Sequence, residues 1–267
     1  MKFGRSVAVL FLVLLSMSCA LGEQDAVLKD MSTEDLLSLY QCVRNELCSR
    51  ESVVNPSPES DFLTVSNDKE TYIRAYLGAG GDVVIPNEIN GKPVTVISNK
   101  AFNKAKSIYR LTLPDTLRRI EDDSFCYTYC KNNDVLVFPK SLEYIGSKAM
   151  IKSMTGITGI VFQSPCKLAG IQSMAWLDEV KFIYIAKDCD VSIGHTAFQD
   201  YPSLITVVIP ASVTIISDSA FEDCPRMTIV TPEGSYAHQY AQRLMIPCNT
   251  QRYEELDAYY NDLYISQ

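Results

Sequence analysis

The chain has 267 residues and a formal charge of −8 at pH 7, with 47% hydrophobic and 21% charged residues. This is a folding composition, long enough for one extended domain or two small ones. An acidic body without a basic run argues against nucleic acid and against anionic lipid, which both need clustered Lys and Arg.

Residues 1–22 read as an export signal. Lys2 and Arg5 precede the apolar run VAVLFLVLL, and ALG (20–22) is a small-x-small cleavage site. The run is too short to span a bilayer, and no later segment reads as a membrane span. The rival reading is a lipoprotein signal with Cys19 acylated. Ser18 suits it, but Ser16 stands where such signals usually carry leucine. Plain secretion is therefore preferred, with a lipid anchor at Cys19 as the alternative.

A helical N-terminal segment follows (23–48). Ser32 is placed to cap a helix over 32–47, with Glu34 and Asp35 in its first turn favouring the positive end of the dipole. Leu36, Tyr40, Val43 and Leu47 share one face, which reads as docking on the chain's own domain or as a loose dimerisation stripe. SRESVVNPSPES (49–60) reads as a linker. FLTVS (62–66) and TYIRAYLG (71–78) flank a polar NDKE as a hairpin, so residues 61–81 are expected to cap the open end of what comes next.

What comes next is repetition over 82–226. An isoleucine, three variable residues, a small residue and a bulky apolar one recur as Ile97–Ala101–Phe102, Ile120–Ser124–Phe125, Ile145–Ala149–Met150, Ile171–Ala175–Trp176, Ile193–Ala197–Phe198 and Ile216–Ala220–Phe221. The isoleucines lie 23, 25, 26, 22 and 23 residues apart. Each copy follows a strand of the form apolar-x-x-apolar-x-apolar, usually closed by proline, as in Leu204, Val207, Ile209 and Pro210. No such unit buries its apolar face alone, so the units must stack into a solenoid. On this alignment Trp176 is a corner filler. Residues 227–248 read as a closing strand and helix. The acidic tail 249–267 suggests a further helix through Leu256, Tyr259, Tyr260 and Leu263.

These residues resemble a known family. GGDVVIPNEINGKPVTVISNKAF (80–102), LITVVIPASVTIISDSAFEDC (204–224) and GSYAHQYAQRLMIP (234–247) are similar to the BspA-like leucine-rich repeat proteins, over residues 62–248. Repeats three to five depart from the pattern: Met150 and Trp176 replace phenylalanine, and Gln163 and Ala186 replace proline. The resemblance implies a leucine-rich-repeat solenoid, a β-rich α/β fold whose parallel sheet of about six repeats carries a hairpin cap at one end and a strand-helix cap at the other. It further implies an exported or surface protein, of bacteria or some protists, among relatives of which several act as adhesins for host proteins. No catalytic residue belongs to that pattern.

The residues themselves offer little chemistry. The chain has only two histidines, His195 and His238, and no nucleophile elbow, phosphate loop or HExxH. His195 falls at a repeat position occupied elsewhere by Asn99, Asp122, Ser147, Ser173 and Asp218, which reads as solvated surface. Cys42, Cys48, Cys126, Cys130, Cys166, Cys189, Cys224 and Cys248 follow the signal without a compact disulfide framework. They read as buried thiols, with Cys126/Cys130 the pair to test for a bond. No metal, cofactor or catalytic residue is expected.

The strand alignment does expose one surface. The position before the last apolar residue of each strand should point outward, and reads Val84, Thr112, Val137, Val161, Tyr184 and Val208. Two positions earlier stand Asp82, Arg110, Val135, Gly159, Phe182 and Thr206. A face this rich in β-branched and aromatic residues suits protein binding, through Phe182, Tyr184, Val161, Val137, Val135 and Arg110. Strand propensity alone, or coverage by a terminal helix, would also explain it. The expected function is non-catalytic binding of another protein, from host or envelope, with a glycan-binding or glycan-active solenoid as the alternative.

Overall fold

The computed structural model describes residues 55–265, except 104, 106–107, 127, 129, 132–134, 152–153 and 169–170. The expected signal, the N-terminal helix and the first part of the linker lie outside these residues.

The N-terminal hairpin pairs β1 (Phe62–Ser66) with β2 (Thr71–Tyr76) in antiparallel fashion. The first repeat supplies β3 (Gly81–Val84), β4 (Glu88–Ile89) and β5 (Lys92–Ile97). β4 and β5 form a second hairpin that the repeat alignment passes over. Its turn is Asn90-Gly91, both at positive φ, which is the commonest two-residue hairpin signal. Residues 55–60 are more than a linker end: Ser57 N donates to Val84 O, and Ser57 Oγ accepts from Val84 N, beside the sheet's first strand.

The later repeats contribute β6 (Ile108–Thr112), β7 (Arg119–Ile120), β8 (Cys130–Lys131), β9 (Val135–Val137), β10 (Tyr144–Ile145) and β11 (Met154–Thr155). They continue with β12 (Gly159–Phe162), β13 (Cys166–Leu168), β14 (Phe182–Ile185), β15 (Val191–Ile193) and β16 (Thr206–Val208). The closing elements are β17 (Thr228–Val230), helix α1 (Tyr236–Arg243), β18 (Cys248–Asn249) and helix α2 (Tyr253–Tyr264). One parallel ladder of short return segments runs β2-β5-β7-β10-β13-β15 and ends in a bridge from Ile193 to Ile216. The longer strands fall into two parallel ladders, β3-β6-β8-β11 and β9-β12-β14-β16-β17-β18. The break falls in the third and fourth repeats, where the longer coils carry two strand pieces each, β8 with β9 and β11 with β12.

The corners stack as the repeat demands. The amides of Tyr76, Phe102, Phe125, Met150, Met174 and Phe198 donate to Ala101, Ser124, Ala149, Ser173, Ala197 and Ala220 carbonyls of the next coil, at 2.7–3.0 Å. Along this column the rings of Tyr76, Phe102 and Phe125 stack at 5.2 and 4.6 Å between centroids. Lys100, Asp123, Lys148, Gln172 and Thr196 take the left-handed backbone conformation that turns each corner.

This column corrects the fourth repeat. Leu168 pairs with Ile145 on one side and Ile193 on the other, so Leu168 rather than Ile171 is the repeat's inward residue. Met174 fills the corner and is fully buried, while Ile171 is 55% exposed. Trp176 is only half-buried. The unbranched methionine fits the space between Met150 and Phe198 without a ring. The apparent Ile–Ala–Trp copy is a coincidence of residue types a few positions downstream.

A second column runs through hydroxyls. Thr116, Ser141, Ser164 and Ser212 donate from Oγ to the carbonyls of Val94, Leu117, Leu142 and Cys189 in the preceding coil, at 2.6–2.9 Å. Among the described residues no buried side-chain nitrogen or oxygen lacks a partner. Helix α1 closes the end, with Ser235 Oγ accepting from His238 N and Ala237, Tyr240 and Ala241 buried.

Candidate binding face

The strand register places the outward residues side by side. Asp82 pairs with Arg110 and Val84 with Thr112. In the second ladder Val135, Gly159, Phe182 and Thr206 lie in one row, and Val137, Val161, Tyr184 and Val208 in the next. Val83, Leu111, Leu136, Ile160, Ile183 and Val207 alternate with them into the core. The structure thus brings Val135, Val137, Val161, Phe182 and Tyr184 together on one face, whereas Arg110 stands on the other ladder.

Exposure changes along this face. Asp82, Arg110 and Thr112 are exposed, and Val84, Val135 and Val137 are half-buried. Val161, Tyr184 and Val208 are fully buried, and α2 packs on Tyr184 and against β16. Tyr253, Asp257, Tyr260 and Tyr264, spaced by four, three and four, share one side of the helix. Tyr260 stacks on Phe182 at 4.9 Å and on Tyr184 at 5.1 Å, and Tyr264 stacks on Phe182 at 6.1 Å. The Tyr184 hydroxyl donates to Asp257 Oδ1 at 2.9 Å. Burial, and then this bond, raise the Tyr184 pKa well above the usual phenol range. Gly159 makes room for the arrangement: a Cβ there would overlap the Phe182 ring. Asn249 Oδ1 accepts from Gln251 N and Arg252 N at 3.1 Å, ordering the approach to the helix.

The amphipathic stripe of α2 was readable in residues 256–263, but Tyr253 and Asp257 escaped it. Its seat is the one named among the alternatives for the outward face, coverage by a terminal helix, although the stripe itself names no partner face.

The half-buried Trp176 lines a separate open cavity of about 880 Å³ with Asp178, Asp200, Pro202, Phe221, Asp223, Cys224 and Pro225. Its indole N–H donates to Asp200 Oδ2, and its backbone is left-handed at φ 62°.

His195 is exposed, with Nδ1 against Ser219 Oγ. Asp122 Oδ1 accepts from Ser147 N at 2.8 Å. Cys126, Cys166, Cys189, Cys224 and Cys248 are free thiols, and the side chain of Cys130, the partner expected for Cys126, lies outside the described ones. Burial pushes Cys166 up to about 12 and Cys189 up to about 11. Among the described residues no group of three or more His, Cys, Asp or Glu could hold a metal ion, and no helix is long and apolar enough to cross a membrane.

The family model for the BspA type leucine rich repeat region matches residues 94–231 in six copies. The chain belongs to this family. Its BspA-type repeats therefore account for the parallel coils described above. Among solved structures, the chain is similar to the leucine rich repeat protein of T. pallidum, at 22% identity, with a TM-score of 0.34 over 66% of this chain and 71% of that one. It is also similar to a leucine rich cell surface protein from Faecalibacterium prausnitzii, at 12% identity and TM-score 0.23, over 81% of this chain and 100% of that one. A leucine-rich repeat protein from Bacteroides ovatus matches at 12% identity and TM-score 0.19, over 67% and 84%. No functionally curated protein matches the chain.

Proposed function

We propose that this BspA-type repeat protein is exported, freely or on a lipid at Cys19, and binds another protein, from host or envelope, through the outer face of its repeat strands, without catalysis. The observation that carries this reading is the seating of α2. The outer face buries an amphipathic helix over β14 and β16, so its character is that of a protein-binding surface. The adjoining part remains open and continues the same rows with Val135 and Val137. On the neighbouring ladder stand Arg110 and Tyr109, the latter 58% exposed. Arginine and tyrosine are the residue types that most often anchor interfaces. The test presents solubilised envelope and host-surface proteins to the immobilised chain and to an Arg110→Ser/Val135→Ser/Val137→Ser variant. A protein captured by the first and lost by the second supports the reading; equal capture by both contradicts it.

One observation favours a second reading, glycan binding. The Trp176 cavity sets an aromatic ring beside Asp178, Asp200 and Asp223, acceptors suited to sugar hydroxyls. Trp176→Ala should abolish retention on a glycan array if this reading holds, and leave it unchanged otherwise.

A further inference from the structure

We propose that the cavity beside Trp176 is a pocket for arginine side chains on an extended, basic segment of a partner protein. The site lies apart from the outer face of the strands, on the turns that follow the last three corners. It goes beyond the binding reading given for that face and stands or falls without it.

The cavity is a product of the repeat. Trp176 N donates to Gln199 O at 2.9 Å, and one coil further Asp200 N donates to Glu222 O at 3.0 Å. Trp176, Asp200 and Asp223 all take the left-handed backbone conformation, at φ 62°, 58° and 58°. They therefore hold one position in three successive coils, each just beyond the corner residues Met174, Phe198 and Phe221. Asp178, Pro202 and Pro225 hold the next position on the same wall, and together the two columns frame an open groove along the coils. Aspartate tolerates left-handed backbone, whereas a bulky residue there is an outlier. The core does not account for this tryptophan either, because the fully buried Met174 already fills the corner. The half-buried ring lines the cavity instead, held in orientation by its N–H on Asp200 Oδ2.

Charge decides the occupant. Three lining residues are carboxylates and none is basic. Among the described residues none of the three is in an ion pair. Their field reaches the wall: Cys224, whose thiol burial pushes up to about 11, is raised further by the charges of Asp200 and Asp223. An aromatic ring among unpaired carboxylates selects a cation and rejects phosphate or acidic sugars. A guanidinium suits the site better than an ammonium, since it is planar, stacks on an aromatic face and forks onto a carboxylate. Pro202 and Pro225 offer apolar surface to its methylene stem. At about 880 Å³ the cavity exceeds one side chain, and it opens along the coils, which suits a stretch of polypeptide. The formal charge of −8 draws such a segment in.

Trp176 is the chain's single tryptophan, so its fluorescence reports the cavity without a label. The probe is tetra-arginine amide, titrated into the full chain beside tetra-lysine amide, uncharged tetra-citrulline amide and a neutral N-acetylglucosamine tetramer. The expected result is a saturable change with tetra-arginine, at an affinity about tenfold or more above that of tetra-lysine, and none with tetra-citrulline. The double variant Asp178→Asn/Asp223→Asn alters two exposed side chains and keeps the reporter. It should weaken tetra-arginine about tenfold or more. No response to tetra-arginine, an undiminished response in the variant, or equal affinity for tetra-lysine overturns the proposal. A response to the neutral sugar alone overturns it in favour of the glycan reading. Capture through the outer face is read separately, in the Arg110/Val135/Val137 variant, which leaves this cavity intact.

Discussion

The Tyr184 hydroxyl donates to Oδ1 of Asp257 over 2.9 Å, joining a repeat strand to a helix 73 residues further along. Both groups are buried, so removing the hydroxyl strands the carboxylate, whereas the hydroxyl also reaches the Asp257 backbone carbonyl at 3.3 Å. Tyr184→Phe is expected to lower stability by about 1–3 kcal/mol. Asp257→Asn, which keeps an acceptor oxygen, should lose less. Urea unfolding midpoints of the two variants decide the order.

Gly159 is the only outward position in its row without a side chain to meet Phe182. Gly159→Ala forces the Phe182 ring off the sheet and with it the stack on Tyr260, at about 1–3 kcal/mol for an overpacked site. Thermal unfolding should show a lower Tm. A companion Thr206→Ala, in the same row but half-buried, should change it little.

The fourth corner gives a direct check of register. Met174→Ala opens a cavity in the filled column and should lower stability by about 2–5 kcal/mol. Ile171→Ala, on the exposed side, should stay within about 0.5 kcal/mol. If Ile171 were instead the costly substitution, the Ile–Ala–Trp alignment would be correct after all.

Alkaline pH should unfold the protein early. Cys166, Cys189, Tyr184, Tyr240 and Tyr253 all have raised pKa values, with burial the leading cause in each. The unfolded chain therefore releases these protons first, and stability is lost as pH rises. The window opens near pH 9 for the thiols and near 10 for the phenols, their ordinary values, and extends upward through the folded values. Tm measured from pH 7 to 11 should hold and then fall from about pH 9. The same burial predicts slow alkylation of Cys166 and Cys189 at pH 8 relative to a denatured control.

The parts of the fold legible in the sequence are those dictated by period. Alternation along a strand and a fixed coil length place Leu111, Ile160, Ile183 and Val207 inside whatever surrounds them, and the outward rows follow by parity. The fourth corner misleads because Ile171, Ala175 and Trp176 mimic the motif, and only pairing of Leu168 with Ile145 and Ile193 breaks the tie. The Asn90-Gly91 hairpin was signalled and lay inside the first repeat. Coverage of Phe182 and Tyr184 by a terminal helix stood among the alternatives, but choosing it depends on a contact across 73 residues that neither partner's local pattern encodes.

Tyrosine nitration mapped by mass spectrometry tests most directly whether α2 occupies the outer face. Under limiting reagent, the exposed Tyr109 should react and the covered Tyr184 should not. Tyr260→Ala should then make Tyr184 reactive in a folded chain. Nitration of Tyr184 at the rate of Tyr109 in the unmodified protein would contradict the account.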